Sequence, residues 1–247
     1  MDWGDAPGAA QSGFAGTYPT LSADNGARHN LVPNGLHLGA TVDADLDGQP
    51  NATATGDGAD EDGVTMPAAL VINTSQSITV NSSGTGFLYG WFDWNRDGDW
   101  ADAGEFVYLG TGLTAGNNVL TLNVPAGASL GLSYARFRVT DTNQGSSASA
   151  VGLAPGVGEV EDYQVNIVNT QFNIDNPSVV EGNAGTTNLV FTISRTNNST
   201  ACSVNYAITG VTATTADLDY QVFAGGTASF TQGELYPKQS LWSSMET

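Results

Sequence analysis

Asp93, Asn95 and Asp97 sit two residues apart in "GWFDWNRDGDWADAGEF" (residues 90–106), and Gly98 follows. An EF-hand loop places oxygen ligands at positions 1, 3, 5, 7, 9 and 12, with Gly at position 6 for the sharp turn. Counted from Asp93, Asp99 fills position 7, position 12 is Gly104, and Glu105 comes one residue late. The chemistry on offer is binding of a hard cation by carboxylate and amide oxygens. The flanks are aromatic and strand-like, not helical. The expectation is therefore an EF-like calcium loop in a strand-to-strand connection, with Asp102 or Glu105 completing the shell. The alternative is a polar hairpin turn, for which "NRDGD" is good chemistry.

Two other acidic groups invite the same reading. "VDADLDGQP" (42–50) carries Asp43, Asp45 and Asp47 before Gly48, but its position 12 is Ala54. No single loop closes there. "GDGADEDGV" (56–64) lies just downstream, and Asp57, Asp60 and Asp62 could supply the missing carboxylates of a split site. A flexible acidic loop is the alternative. In "GEVEDYQVNI" (158–167), Glu161 shares the parity of Tyr163, Val165 and Ile167, which puts it on the core side of a strand. A buried carboxylate needs a partner. The candidates are a cation or a cross-strand pair with Arg136 or Arg138.

Composition points the same way. The chain has 247 residues, of which 25 are Asp or Glu and 6 Lys or Arg, for a formal charge of −19. Phosphates would be repelled, so nucleic acid is not an expected partner, and anionic membrane surfaces are excluded on the same ground. The acids are stacked in short stretches. Like charges about 4 Å apart repel by roughly 1–4 kcal/mol per pair, and a divalent cation would offset that. With one cysteine, Cys202, no intrachain disulfide can form. No apolar run reaches the ~18 residues of a membrane span. Met1 is followed at once by "DWGDAP" with no signal peptide, as in a fragment of a longer chain.

Catalytic constellations are not legible. His29 and His37 lack the partner spacing of a zinc site and are expected to be packed or loop residues. No G-x-S-x-G elbow occurs. The chain is expected not to be an enzyme. Trp3, Trp91, Trp94 and Trp100 could stack on sugars. Core packing and loop anchoring is the stronger reading of them.

The elements that must position these residues are strands. Thirty-one glycines and many Thr, Ser and Asn disfavour helices. Period-two segments recur: "QSITV" (76–80), "FLYGWF" (87–92), "NVLTLNV" (118–124), "YARFRV" (134–139) and "EDYQVNIV" (161–168). Ala135, Phe137 and Val139 fall on one face and Tyr134, Arg136 and Arg138 on the other. The spacing predicts an all-β antiparallel sandwich. Residues 1 to about 65 read as a long irregular segment wrapped on it, tied down by metal ligands. A second, incomplete immunoglobulin-like sandwich starts at "FNIDNPSVVEGNAGTTNLVFTISRT". The divisions are residues 1–168, a linker at 169–171, a partial domain at 172–234, and a tail at 235–247 that reads as neither strand nor domain end.

The ordered series "DWGDAP", "YPT", "GARH", "LHLGATVDADLDGQP", "DEDGV", "GWFDWNRDGDW", "YARFRVT" and "GEVEDYQV" resembles the bacterial GEVED domain over residues 2 to about 168. That resemblance implies a β-rich module of large secreted or cell-surface proteins, with no known catalysis and often beside adhesin-like repeats. The second unit resembles a Calx-beta domain, a sandwich that often binds calcium at one tip. Glu181 and Asp219 match its ligand positions, while the continuation past "FTQGE" departs from it. Together these readings imply a calcium-stabilised structural or adhesive module, with Ca2+ as the bound ion. A carbohydrate-binding module is the alternative. Neighbouring domains, other surface proteins and glycans are the candidate partners.

Overall fold

The computed structural model describes all residues except 57, 59, 60, 181–186, 197–200, 208–224, 232, 235, 236 and 245–247. The chain is all-β and divides into two compact units, Met1–Val168 and Asn169–Thr247.

In the first unit the strands are β1 (Asp2–Trp3), β2 (Arg28–Asn30), β3 (Val64–Thr65), β4 (Leu70–Val71), β5 (Thr74–Ser82), β6 (Gly86–Phe92), β7 (Phe106–Leu113), β8 (Gly116–Val124), β9 (Gly131–Thr140) and β10 (Leu153–Val168). One sheet runs in the order β1-β2-β10-β9-β6-β7, with β4 also pairing β10; a smaller one runs β3-β5-β8. The long neighbours β9/β10, β6/β9 and β5/β8 are antiparallel, whereas β2 and β4 lie parallel to β10.

Alternation along the strands builds two cores. Leu88 and Phe92 of β6, Ala135, Phe137 and Val139 of β9, and Val165 and Ile167 of β10 face Ile78 and Val80 of β5 and Leu122 and Val124 of β8. That is the expected face assignment, and it forms the sandwich interior. The opposite parity of β6 and β9 carries Tyr89, Trp91 and Tyr134, which pack with Trp100 and with Ala6, Tyr18 and Ala54 of the N-terminal segment. The N-terminal segment therefore adds β1 and β2 to the edge of the large sheet and lays Ala6, Tyr18 and Ala54 over its outer face, while Leu38 enters the sandwich interior. Burial drives this: Tyr18 stands against Trp100 at 4.3 Å and edge-on to Tyr134 at 5.4 Å. Each such pair adds about 0.5–1.5 kcal/mol beyond area burial.

The second unit has β11 (Phe172–Ile174), β12 (Thr187–Arg195), β13 (Cys202–Tyr206), β14 (Gly226–Phe230) and β15 (Lys238–Ser244). The sheets are β11-β12-β15 and β13-β14, around a small core of Ile193, Ala228 and Phe230. The expectation that residues 235–247 hold no strand is corrected here. Lys238–Ser244 pairs with β12 in a continuous antiparallel register, from Ile193↔Lys238 to Thr187↔Ser244. "KQSLWSS" carries too few apolar residues for a period to show, and a long partner strand supplies the ladder.

Candidate metal site

Residues 93–105 connect β6 to β7, as the strand-like flanks required. Trp94 and Trp100 anchor the loop from within, both buried. Gly98 has φ +97°, a conformation that disfavours side chains, and the spot a Cβ would take lies 2.7 Å from the Gly16 backbone. The N-terminal layer thus presses directly on the loop.

Among the described residues, Asp97, Asp99 and Asp102 bring one carboxylate oxygen each to within 4.8 Å of one another. Asn95 joins them, its amide donating to Asp97 (2.9 Å) and Asp102 (2.6 Å). The loop's one cation is spent elsewhere. Arg96 donates to the carbonyls of Leu130 and Leu132, both at 2.8 Å, and lies over the Phe14 ring. The salt bridges formed among the described residues leave these three carboxylates unneutralised. A half-open ring of oxygens in a negatively charged loop fits a calcium ion, which takes six to eight oxygens with tolerant geometry.

Asp93 and Glu105 are not in this group. Asp93 is buried; it accepts from the Tyr18 hydroxyl and from the backbone N–H groups of Arg96 and Gly98. Burial raises its pKa, and the same burial together with the Asp93 charge pushes Tyr18 well above the ordinary phenol range. Glu105 is buried and accepts from the N–H groups of Trp94 (3.0 Å) and Asp102 (3.2 Å). Desolvation lifts its pKa to about 7. These two carboxylates shape the loop from below while the other three face outward.

The second acidic group is spread along the N-terminal layer. Asp47 accepts from the Ser22 N–H and hydroxyl and the Gly48 N–H, which lowers its pKa. Asp45 accepts from Gln49, and Asp62 from the Ala40 N–H. Asp43 is exposed. These residues do not assemble into a three-carboxylate cluster among the described residues. Asp57, Asp60, Glu181 and Asp219 lie outside the described residues.

The third group, Gly158-Glu159-Val160-Glu161-Asp162, is a clasp. Asp162 pairs with Arg136 at 2.7 Å, both side chains fully buried, and its Oδ2 also accepts the N–H groups of Asp5 (2.9 Å) and Ala6 (2.8 Å). Glu159 accepts the Leu38 N–H at 3.1 Å, and Glu161 the Gly63 N–H at 2.8 Å and the Tyr163 hydroxyl at 3.0 Å. The traffic also runs the other way. Asp2 accepts the Val160 N–H (2.7 Å) and Glu61 the Asp162 N–H (2.8 Å). Burial lifts the pKa of Glu161 to about 8, with the Asp62 charge adding to the rise. The ion pair considered for Glu161 is made by Asp162 instead, because Arg136 lies opposite Asp162 in the ladder and Glu161 opposite Phe137. Parity held that signal: Arg136 and Asp162 both fall on the non-core faces of their strands.

Arg138 completes the interface. Its side chain donates to the carbonyls of Ser149 (2.6 Å), Arg28 (2.9 Å) and Gly152 (2.9 Å) and to His29 Nε2 (2.9 Å). Burial and the neighbouring Arg136 charge lower its pKa to about 9. Asp2 and Asp5 belong to no metal-ligand motif in the sequence, and Arg138 enters there only as a candidate partner of Glu161. Their partners are mostly backbone groups, which leave no mark in a residue pattern.

Residues 87–166 match the family model of the GEVED domain. The matched span runs from β6 into β10 and includes the loop and the clasp strand; the N-terminal layer and β5 lie outside it. None of the curated proteins matches the chain.

Proposed function

We propose that this protein is a calcium-stabilised, non-catalytic structural module of a larger secreted or cell-surface protein. The observation that carries the reading is the outward cluster of Asp97, Asp99 and Asp102, unneutralised by Arg96, on a loop pressed between the sandwich and its N-terminal layer. When bound, the ion supplies charge neutralisation. The carboxylates of Asp97, Asp99 and Asp102 would hold it, with the Asn95 side-chain oxygen available after rotation of its amide. Asp93 and Glu105 fix the loop backbone, and through Tyr18 and Gly16 the loop is tied to the N-terminal layer. A cation here stiffens both at once.

The sugar-binding alternative loses its support. Trp3, Trp91, Trp94 and Trp100 are between 3 and 6% exposed, so none offers a stacking face. The second unit is read, on its sequence resemblance, as a Calx-beta-like β module. Among the described residues no helix is long and apolar enough to cross a membrane.

The deciding experiment is thermal unfolding with calcium and with EDTA. Sites of extracellular modules work near dissociation constants of roughly 10⁻⁴–10⁻³ M. Calcium at about 100 times that constant adds about 2.7 kcal/mol. An unchanged melting temperature at roughly 10–100 mM calcium, about 100 times that constant, would refute the reading.

A further inference from the structure

His29 stands where the N-terminal layer meets the sheet, and it is fully buried. It sits in β2, between β1, where its partner is Asp2, and β10, to which β2 runs parallel. Its Nε2 accepts a hydrogen bond from Arg138 Nε of β9 at 2.9 Å. A guanidinium only donates. The imidazole must therefore be neutral there, with its lone pair on Nε2 and its hydrogen on Nδ1. Turning the ring over would place Cε1 against Arg138, and carbon accepts nothing. Protonation puts two donors and two positive charges face to face in a fully buried site.

The ring is closely packed. Gly158 backs onto His29 so closely that a Cβ there would lie 2.8 Å from Nδ1 and 1.9 Å from the Val139 carbonyl. Among charged groups on the packed elements, Arg138 and Arg136 come from β9, Asp2 from β1, Glu159, Glu161 and Asp162 from β10 and Arg28 from β2 itself; Glu159 accepts the Leu38 N–H and Glu161 the Gly63 N–H. Asp162 is engaged by Arg136 and by two backbone N–H groups, and Asp2 accepts the Val160 N–H. Burial and the Arg138 charge hold the His29 pKa well below its usual value.

We propose that His29 is an acid-sensitive latch that holds the first part of the N-terminal segment, residues 1–39, on the large sheet while neutral and releases it on protonation. The same layer carries few ladder bonds of its own, since β1 and β2 have two and three residues. Release would remove Ala6 and Tyr18 from the aromatic outer face of β6 and β9 and so expose part of it.

The test is hydrogen–deuterium exchange of the whole chain between about pH 7.5 and about 5, corrected for intrinsic exchange; Glu105 and Glu161 also titrate in this window, but their raised pKa values make the folded state more stable as pH falls, opposite in sign to the latch. The open state takes up a proton near pH 6.5 and the closed state does not. Opening of residues 1–39 should therefore rise about tenfold per pH unit below that point. His29→Gln keeps an acceptor for Arg138 and should flatten the rise, while His37→Gln should leave it intact. An equal rise in His29→Gln overturns the latch. So does parallel opening of β6 and β9 amides, which would mean whole-unit unfolding. Should His29→Gln not fold, the ring can be titrated by NMR in the unaltered protein. Titration of His29 near 6.5 with residues 1–39 still protected also overturns it.

Discussion

Two acidic stretches of this molecule, residues 97–102 and residues 158–162, look alike in sequence and do opposite things. Asp97, Asp99 and Asp102 face outward with their charges uncompensated by an ion pair among the described residues. Glu159, Glu161 and Asp162 are buried, and all three accept hydrogen bonds from the N-terminal layer or from their own strand. The first set needs something from outside. The second is satisfied by the protein's own N–H groups and one arginine. A cluster of carboxylates is thus not in itself a metal site. What separates the cases is whether the fold brings donors to the oxygens before a cation can.

The sharpest way to test the comparison is to damage the buried set. Asp162→Ala removes the partner of Arg136 and the acceptor of two backbone N–H groups. Breaking a buried pair from one side costs about 3–5 kcal/mol. Urea unfolding should show that loss with or without calcium. A restoration by calcium would mean that the buried set is ion-dependent after all. Glu161 gives a subtler version. Its folded pKa of about 8 lies above the usual 4.5 of a solvated glutamate. Stability from this raised carboxyl is complete below about pH 4.5 and is lost as pH rises through about 8. The slope is at most about 1.4 kcal/mol per pH unit. Glu161→Gln should remove it, so the variant's stability relative to the original should grow from pH 5 to pH 8. A flat difference curve would place Glu161 in a more solvated environment than its burial implies.

Much of the scaffold was legible in the sequence because long strands show their period. The two faces of "YARFRV" and "EDYQVNIV" are those of β9 and β10, and the aromatic "FLYGWF" is β6. The loop at 93–105 was legible as a strand connection. What was not legible shares one cause: backbone groups. β1, β2 and β4, with two or three residues each, are too short for any period to appear. The N-terminal layer was expected to be held by metal ligands. Among the described residues its attachment runs largely through N–H groups of Asp5, Ala6, Leu38 and Gly63, and every residue type except proline carries that donor. The strand β15 was missed because its ladder comes from a partner some fifty residues away, not from local propensity.

The outward set yields the smaller effects, and the smallest is the most discriminating. In saturating calcium, Asp97→Asn combined with Asp99→Asn should erase the gain of about 2.7 kcal/mol. In EDTA the same pair of changes should alter stability by no more than about 0.5 kcal/mol. No buried donor depends on either side chain: Asp97 and Asp99 accept from Asn95, Asp99 N–H and Ala101 N–H at the loop surface, and asparagine keeps an oxygen for each turn. Relief of repulsion among the three carboxylates could even tip the balance towards a small gain without the ion. Measured side by side with Asp162→Ala, the double variant separates the two kinds of acid cleanly. A large loss in EDTA would show that the loop carboxylates, too, are structural acceptors, and the distinction between the two stretches would fall.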